Sequence, residues 1–142
     1  MRINWWRLEQ RKPPTPQDVK AAAQKVADMP DAADGNNNVP VPWGVVDVDI
    51  PGDLDWSQSK TKTVTIANLK TQPDDTSVDR DKLTWHVHHP GQSEKGLLHP
   101  YVFKTVDGDR VIVDGHNRLF ALLLLDQQDA QVFQLKEKDL NE

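Results

Sequence analysis

Along this chain the spacing of apolar positions changes character several times, and each change predicts an element. Val19, Ala22, Ala23 and Val26 recur at helical intervals behind Thr15 and Pro16, with Met29 and Pro30 at the far end. Thr is a good helix cap and Pro suits a first helical position, so a short Ala-rich helix with a thin apolar stripe is expected over 16–29. Residues 45–50 instead alternate apolar with acidic, the period of a half-buried edge strand with Asp47 and Asp49 on its wet face. A strand reads through 61–69, Ser77 stands as the cap of a short helix over 78–88, and residues 91–96 form a loop. Strands over 101–106 and 110–113 are joined through Asp107-Gly108, a strong hairpin signal. A helix over 115–125 and a last strand over 130–135 complete the pattern, without internal repeats. The fold class this implies is α+β, a small mixed sheet with packed helices preceded by an extended N-terminal arm carrying one short helix.

The boundary between arm and domain is drawn from composition. Residues 30–44 hold three Pro, two Gly and three consecutive Asn, which suits a linker. Residues 1–44 are therefore expected to be arm and linker, and 45–142 the folded domain. Trp5 and Trp6 lie in a segment too short to bury them by its own folding, so they either dock back onto the domain or insert into another protein as anchors.

The most informative stretch is the run from Val111 to Leu125. Three successive β-branched residues, Val111, Ile112 and Val113, feed a turn of Asp114, Gly115, His116, Asn117 and Arg118, and a leucine-rich helix follows. Gly115 lets the backbone approach a ligand closely, and the opening helix turns its positive dipole end toward it, a corner that favours phosphate or carboxylate. Asp114 reads equally as an acid or base beside a bound phosphate and as a plain helix cap. His116 reads as a phosphate donor or proton shuttle, or as a ring packed at the helix start. For Arg118 the two readings are a bidentate grip on phosphate and a salt bridge to Asp107, Asp109 or Asp114.

The sequence Asp114-Gly115-His116-Asn117-Arg118, preceded by a hairpin and followed by an apolar helix, resembles the DGHHR signature of the ParB/sulfiredoxin-like superfamily over roughly residues 60–136. Asn117 stands where the commoner form has a second His. The superfamily includes partition-protein N-terminal domains, sulfiredoxins and free serine kinases. The resemblance implies a phosphate site on Gly115, His116, Asn117 and Arg118, with Asp114 and His116 as the candidate catalytic residues.

Composition narrows these implications. The chain has no Cys, which excludes disulfides, thiolate metal sites and the sulfiredoxin reaction, whose Cys sits in this same turn. A net charge of −5 works against broad binding to a nucleic-acid backbone. No apolar run is long enough for a signal peptide or a bilayer span, so a cytoplasmic or virion location without membrane contact is expected. His86, His88, His89 and His99 raise a metal reading, but their spacing supplies no carboxylate at a known offset, and helix-end histidines are the simpler account.

Two functional readings follow. In the first, the chain is a phage-type virion or assembly accessory protein, tethered through Trp5 and Trp6 to capsid, portal or tail proteins, with a phosphate-binding pocket at the turn. In the second, it is a nucleotide-dependent enzyme, a ParB-like nuclease or small-molecule phosphotransferase, using a nucleotide with Mg²⁺ and Asp114 as metal ligand or base. The partition role is disfavoured because only 24 residues follow Arg118, where that branch carries a helix-turn-helix. The serine-kinase branch would want a Glu in its first strands, yet residues 45–90 contain none; Asp74, Asp75 or Asp79 would have to substitute.

Overall fold

The computed structural model describes residues 13–93 and 96–140. Helix α1 (Pro16–Asp28) starts as expected: the Thr15 hydroxyl accepts from the Asp18 amide, and the Asp18 carboxylate accepts from the Thr15 amide. This reciprocal pair satisfies two of the amides that a helix start leaves without partners. Strand β1 (Asn38–Pro40) pairs antiparallel with β5 (Ser77–Asp79) in a small separate sheet. Asp79, rather than Ser77, caps helix α2 (Arg80–His88), accepting from the Lys82 amide. The expected helix start is displaced because residues 77–79 are recruited as a strand.

The main sheet contains β2 (Gly44–Val45), β3 (Lys60–Thr65), β4 (Lys70–Thr71), β6 (Tyr101–Lys104), β7 (Arg110–Asp114) and β8 (Asp129–Lys136). Its six strands run in the order β2-β4-β7-β6-β8-β3. The β6–β7 hairpin forms through Asp107 and Gly108 as the sequence predicts, and helix α3 (His116–Leu124) carries the chain from β7 toward β8. The edge strand expected over 45–50 is shorter: only Gly44 and Val45 pair, after which the Val46 amide reaches the Thr71 carbonyl at 2.8 Å. The strand expected over 61–69 stops at Thr65, where a single 3₁₀ turn (Ile66–Asn68) buries Ile66 in the core.

Alternation along the strands places Val64, Val102, Ile112, Ala130 and Val132 on the face covered by helices, where they meet Leu83 and Val87 of α2 and Leu119, Phe120 and Leu122 of α3. Ala22 and Val26 of α1, Val39 of β1 and Trp43 belong to the same core cluster. Residues 16–43, which composition places outside the domain, therefore contribute to its interior. The reason lies in the residues that look like linker. Gly35, Asn36 and Asn37 have φ of 72°, 58° and 61°, successive left-handed positions that Gly and Asn tolerate best, and they form a tight reversal leading into β1. Trp43 is held by donating its indole N–H to the Ile66 carbonyl at 2.9 Å.

Arg80 ties this N-terminal segment down. Its guanidinium donates to the Val26 and Met29 carbonyls at the C-terminus of α1, to the Asn37 side chain, and to the Asp31 carboxylate. A helix end leaves carbonyls without partners, and a cation there also complements the dipole. Arg80→Leu should therefore cost about 2–3 kcal/mol by orphaning several acceptors at once. A fall in the urea midpoint with an unchanged slope would bear this out, whereas an unchanged midpoint would show that α1 is held by packing alone.

Candidate functional site

The Asp114–Arg118 turn lies where β7 ends and α3 begins, and all five of its residues line a cavity of about 260 Å³. The opposite walls come from Asp75 and Ser77 near β5, from Lys82 and His86 of α2, and from Leu97, His99 and Pro100 in the loop before β6. Asp114 is the last residue of β7, and Gly115 occupies the cap position with φ 104° and ψ 21°. The cap position considered for Asp114 is thus taken by the next residue, Gly115. Gly115 has no side chain to offer the first amides of α3, the helix that opens into the cavity.

Gly115 is needed for two reasons. Its φ lies in the region that disfavours side chains, and a Cβ built on it would stand 2.6 Å from the Pro100 Cβ. The close approach expected of this glycine is made to Pro100, part of the cavity wall.

Among the described residues Arg118 does not form the anticipated salt bridge to Asp107, Asp109 or Asp114. It is 7% exposed, and its two terminal nitrogens donate to the main-chain carbonyls of Leu97 at 3.1 Å and Leu98 at 2.7 Å. Among the described residues it forms no ion pair. Burial pushes its pKa down to about 10, so it stays charged at neutral pH. A guanidinium has five N–H groups, so this clamp on the loop leaves donors over at the cavity wall.

His116 turns toward β4, with its Nε2 3.1 Å from the Thr71 hydroxyl and 3.9 Å from the Asp75 carboxylate. The single Thr71 hydroxyl proton is committed to the Asp75 carbonyl at 2.7 Å. Nε2 therefore donates to the Thr71 oxygen, which makes Nδ1 the acceptor of the neutral ring. Burial holds the His116 pKa below its ordinary value, against the opposing pull of the Asp75 and Asp114 carboxylates. His99, 5% exposed, is lowered first by burial and then by the charge of Arg118.

Asn117 contributes an orphan. Its Oδ1 is buried without a hydrogen-bond partner, an acceptor in the cavity wall facing a desolvation cost that a donor would relieve.

The remaining predicted positions fall elsewhere. Trp5 and Trp6 lie outside the described residues. Of the histidines anticipated as helix-end groups, His86 and His88 stand in the last turn of α2 and His89 at its C-cap, stacked on Trp85 with centroids 4.1 Å apart, while His86 and His99 also line the cavity. Among the described residues no group of three metal-ligating side chains comes together. Sequence reasoning named Asp75 only as a stand-in for a Glu and missed Ser77 and Lys82 as cavity residues. No short-range motif joins them to the turn, because strand β5 and helix α2 bring them there across about forty residues of chain.

Gly115→Ala should lose about 3 kcal/mol, combining backbone strain with the overlap at Pro100, readable as a lowered thermal midpoint. A second outcome concerns pH. For His116 and His99 the unfolded chain binds the proton more readily than the native one, so their contribution is intact above the ordinary value of 6.5 and declines as pH falls below it. Urea midpoints should therefore drop between about pH 7 and about pH 5.5, less steeply in His99→Gln; an equal drop in that variant would remove His99 from the account. No protein-family model, curated protein or solved structure matches this chain.

Proposed function

We propose that this chain is a ParB/sulfiredoxin-like domain that holds a small phosphorylated ligand in the cavity of the Asp114–Arg118 turn, and that it serves as an accessory module of a phage-type virion or assembly through Trp5 and Trp6. The observation that carries the ligand reading is the glycine-started helix α3 opening into a cavity whose wall also contains a charged, buried Arg118. Amides at a helix start, a positive dipole end and a guanidinium all favour a phosphate group. A nucleotide or phosphorylated metabolite supplies such a group.

The enzyme reading is favoured by a different feature of the same cavity. Asp75 and Asp114 both line it, together with the neutral imidazole of His116. Mg²⁺ is often bound by one or two carboxylates completed by substrate phosphates, so these two residues fit the ion that a nucleotide would bring. On this reading His116 would accept a proton at Nδ1 while Thr71 fixes the ring through Nε2. The assembly reading rests on the adjacent Trp5 and Trp6, anchors of the residue type most enriched at binding hot spots.

Calorimetric titration with inorganic phosphate, ATP and CTP, each with and without Mg²⁺, separates these cases. Saturable binding is expected to weaken strongly in Asn117→Asp, which sets a carboxylate beside the anion, and in Arg118→Ala. Binding should also tighten as pH falls from about 8 to about 6, because an anion in the cavity favours protonated His116 and His99. Release of phosphate or transfer products would favour the enzyme. No binding by any of the three would leave the tether alone, and co-purification of partner proteins should then be lost in a Trp5→Ala, Trp6→Ala double variant.

A further inference from the structure

The far end of the sheet collects cations that are scattered in the sequence. Lys104 on β6 pairs in register with Arg110 on β7 on one side and with Lys136 on β8 on the other. Lys60 pairs with Gln134 on β8, and Lys62 follows it on the same face of edge strand β3. Lys138 comes next in the short 3₁₀ turn (Glu137–Leu140) after β8. These are six of the chain's 17 Lys and Arg, brought together by four strands of a protein whose net charge is −5.

The alternation that sends Val102, Ile112 and Val132 under the helices sends Lys104, Arg110 and Lys136 to the same face, at the end the helices leave uncovered. Among the described residues none of the six forms an ion pair, although Asp55, Glu137 and Asp139 lie in the neighbourhood. The Glu137 carboxylate is engaged with the Val106 amide at 2.8 Å, and that of Asp55 with Ser57. Arg110 is oriented by the buried Gln134, whose Oε1 accepts from its Nε at 2.8 Å. That bond leaves the terminal nitrogens of the fork for another acceptor. A groove lined by Lys60, Lys62, Gln134 and Lys136, with Asp55 and Asp139 also on its wall, runs beside the row.

Like charges placed directly opposite on neighbouring strands work against a sheet. The Lys104 ammonium is held below its ordinary pKa, first by Arg110, then by desolvation and by Lys136, Lys62 and Lys138. A row of cations that opposes the stability of its own sheet is most simply explained by an external polyanion. We propose that this face binds the phosphodiester backbone of a nucleic-acid strand, with Arg110, Lys104, Lys136 and Lys62 as its contacts. The cations are spaced by the interstrand distance of about 4.8 Å on a rigid support, and five of the six are lysines, point charges suited to a repeating anion read by charge alone. No aromatic side chain is among them, so bases are not read there. An acidic protein segment is the competing occupant.

The two proposed sites are independent. Arg110 and Asp114 stand at opposite ends of β7, about 13 Å apart along the strand. Fluorescence anisotropy of the full chain with a labelled oligothymidylate, beside an oligoglutamate of equal charge, tests the inference. Expected is saturable binding of the oligothymidylate at low salt, weakening as salt rises with a log–log slope of about −2 to −3, as three or four phosphate contacts require. A Lys104→Glu, Lys136→Glu double variant should lose at least about tenfold in affinity, and the milder Lys62→Gln should lose less while reducing the slope by about 0.7. Circular dichroism should show both variants folded, since Lys62→Gln removes a like charge and Lys104→Glu sets a carboxylate opposite Arg110, offsetting the new like-charge pair at positions 104 and 136. Saturating phosphate or nucleotide in the cavity should leave the oligothymidylate affinity unchanged at constant ionic strength. Equal or tighter binding of oligoglutamate would overturn the nucleic-acid assignment in favour of an acidic protein, and indifference to the charge reversals would overturn the surface itself.

Discussion

A buried guanidinium that is answered by main-chain oxygens governs how the cavity is built. Taking a cation out of water is expensive, and a carboxylate is its usual compensation. Arg118 receives the Leu97 and Leu98 carbonyls instead, so the loop before β6 is held to the first turn of α3 and the positive charge is not neutralised in the process. Pro100 resting against Gly115 secures the same junction from the other side, with no room for a Cβ between them. Loop, turn and helix are thereby joined at two points, which suits a binding wall whose donors are to be in place before the ligand arrives.

The same junction depends on parts of the chain that carry no chemistry. His116 is fixed through Thr71 and packs edge-on against Trp43, whose ring in turn meets Phe120 of α3. Trp43 is anchored to Ile66, and α1 reaches the core through Ala22 and Val26. Arg80 completes this support by bridging the end of α1, the Asn37 reversal and the start of α2. The segment before β2 is thus a buttress for the turn, and a loss of packing there would be felt at His116.

How far this was legible in the sequence depends on the range of the interactions. The cap at Thr15, the Asp107-Gly108 hairpin, the β-branched run into the turn and the apolar helix after it are all set by neighbours a few residues apart, and each stands where the pattern places it. The mixed α+β class follows from those elements. What escaped was long-range. Residues 35–37 look like linker because Gly and Asn are common in linkers, yet their tolerance of left-handed backbone is equally what a tight reversal uses. The partner of Arg118 could not be read either, since backbone carbonyls leave no mark in a sequence and every Asp nearby is a more visible candidate. The orphan at Asn117, the one departure of the turn from its commoner form, is a property of packing alone.

Charge illustrates the same point on a larger scale. A net −5 describes the molecule seen from a distance, but at short range fields are set by which residues share a face. Lys62, Lys104, Arg110 and Lys136 lie far apart along the chain and become neighbours only when β3, β8, β6 and β7 come into register. Strand β7 then has a cationic row at one end and the mouth of α3 at the other, separated by the apolar Val111 and Ile112, both fully buried. Because the two ends are about 13 Å apart along the strand, anions there would not compete for one site. A small acidic protein can in this way present two distinct anion-facing regions while its overall charge argues for none.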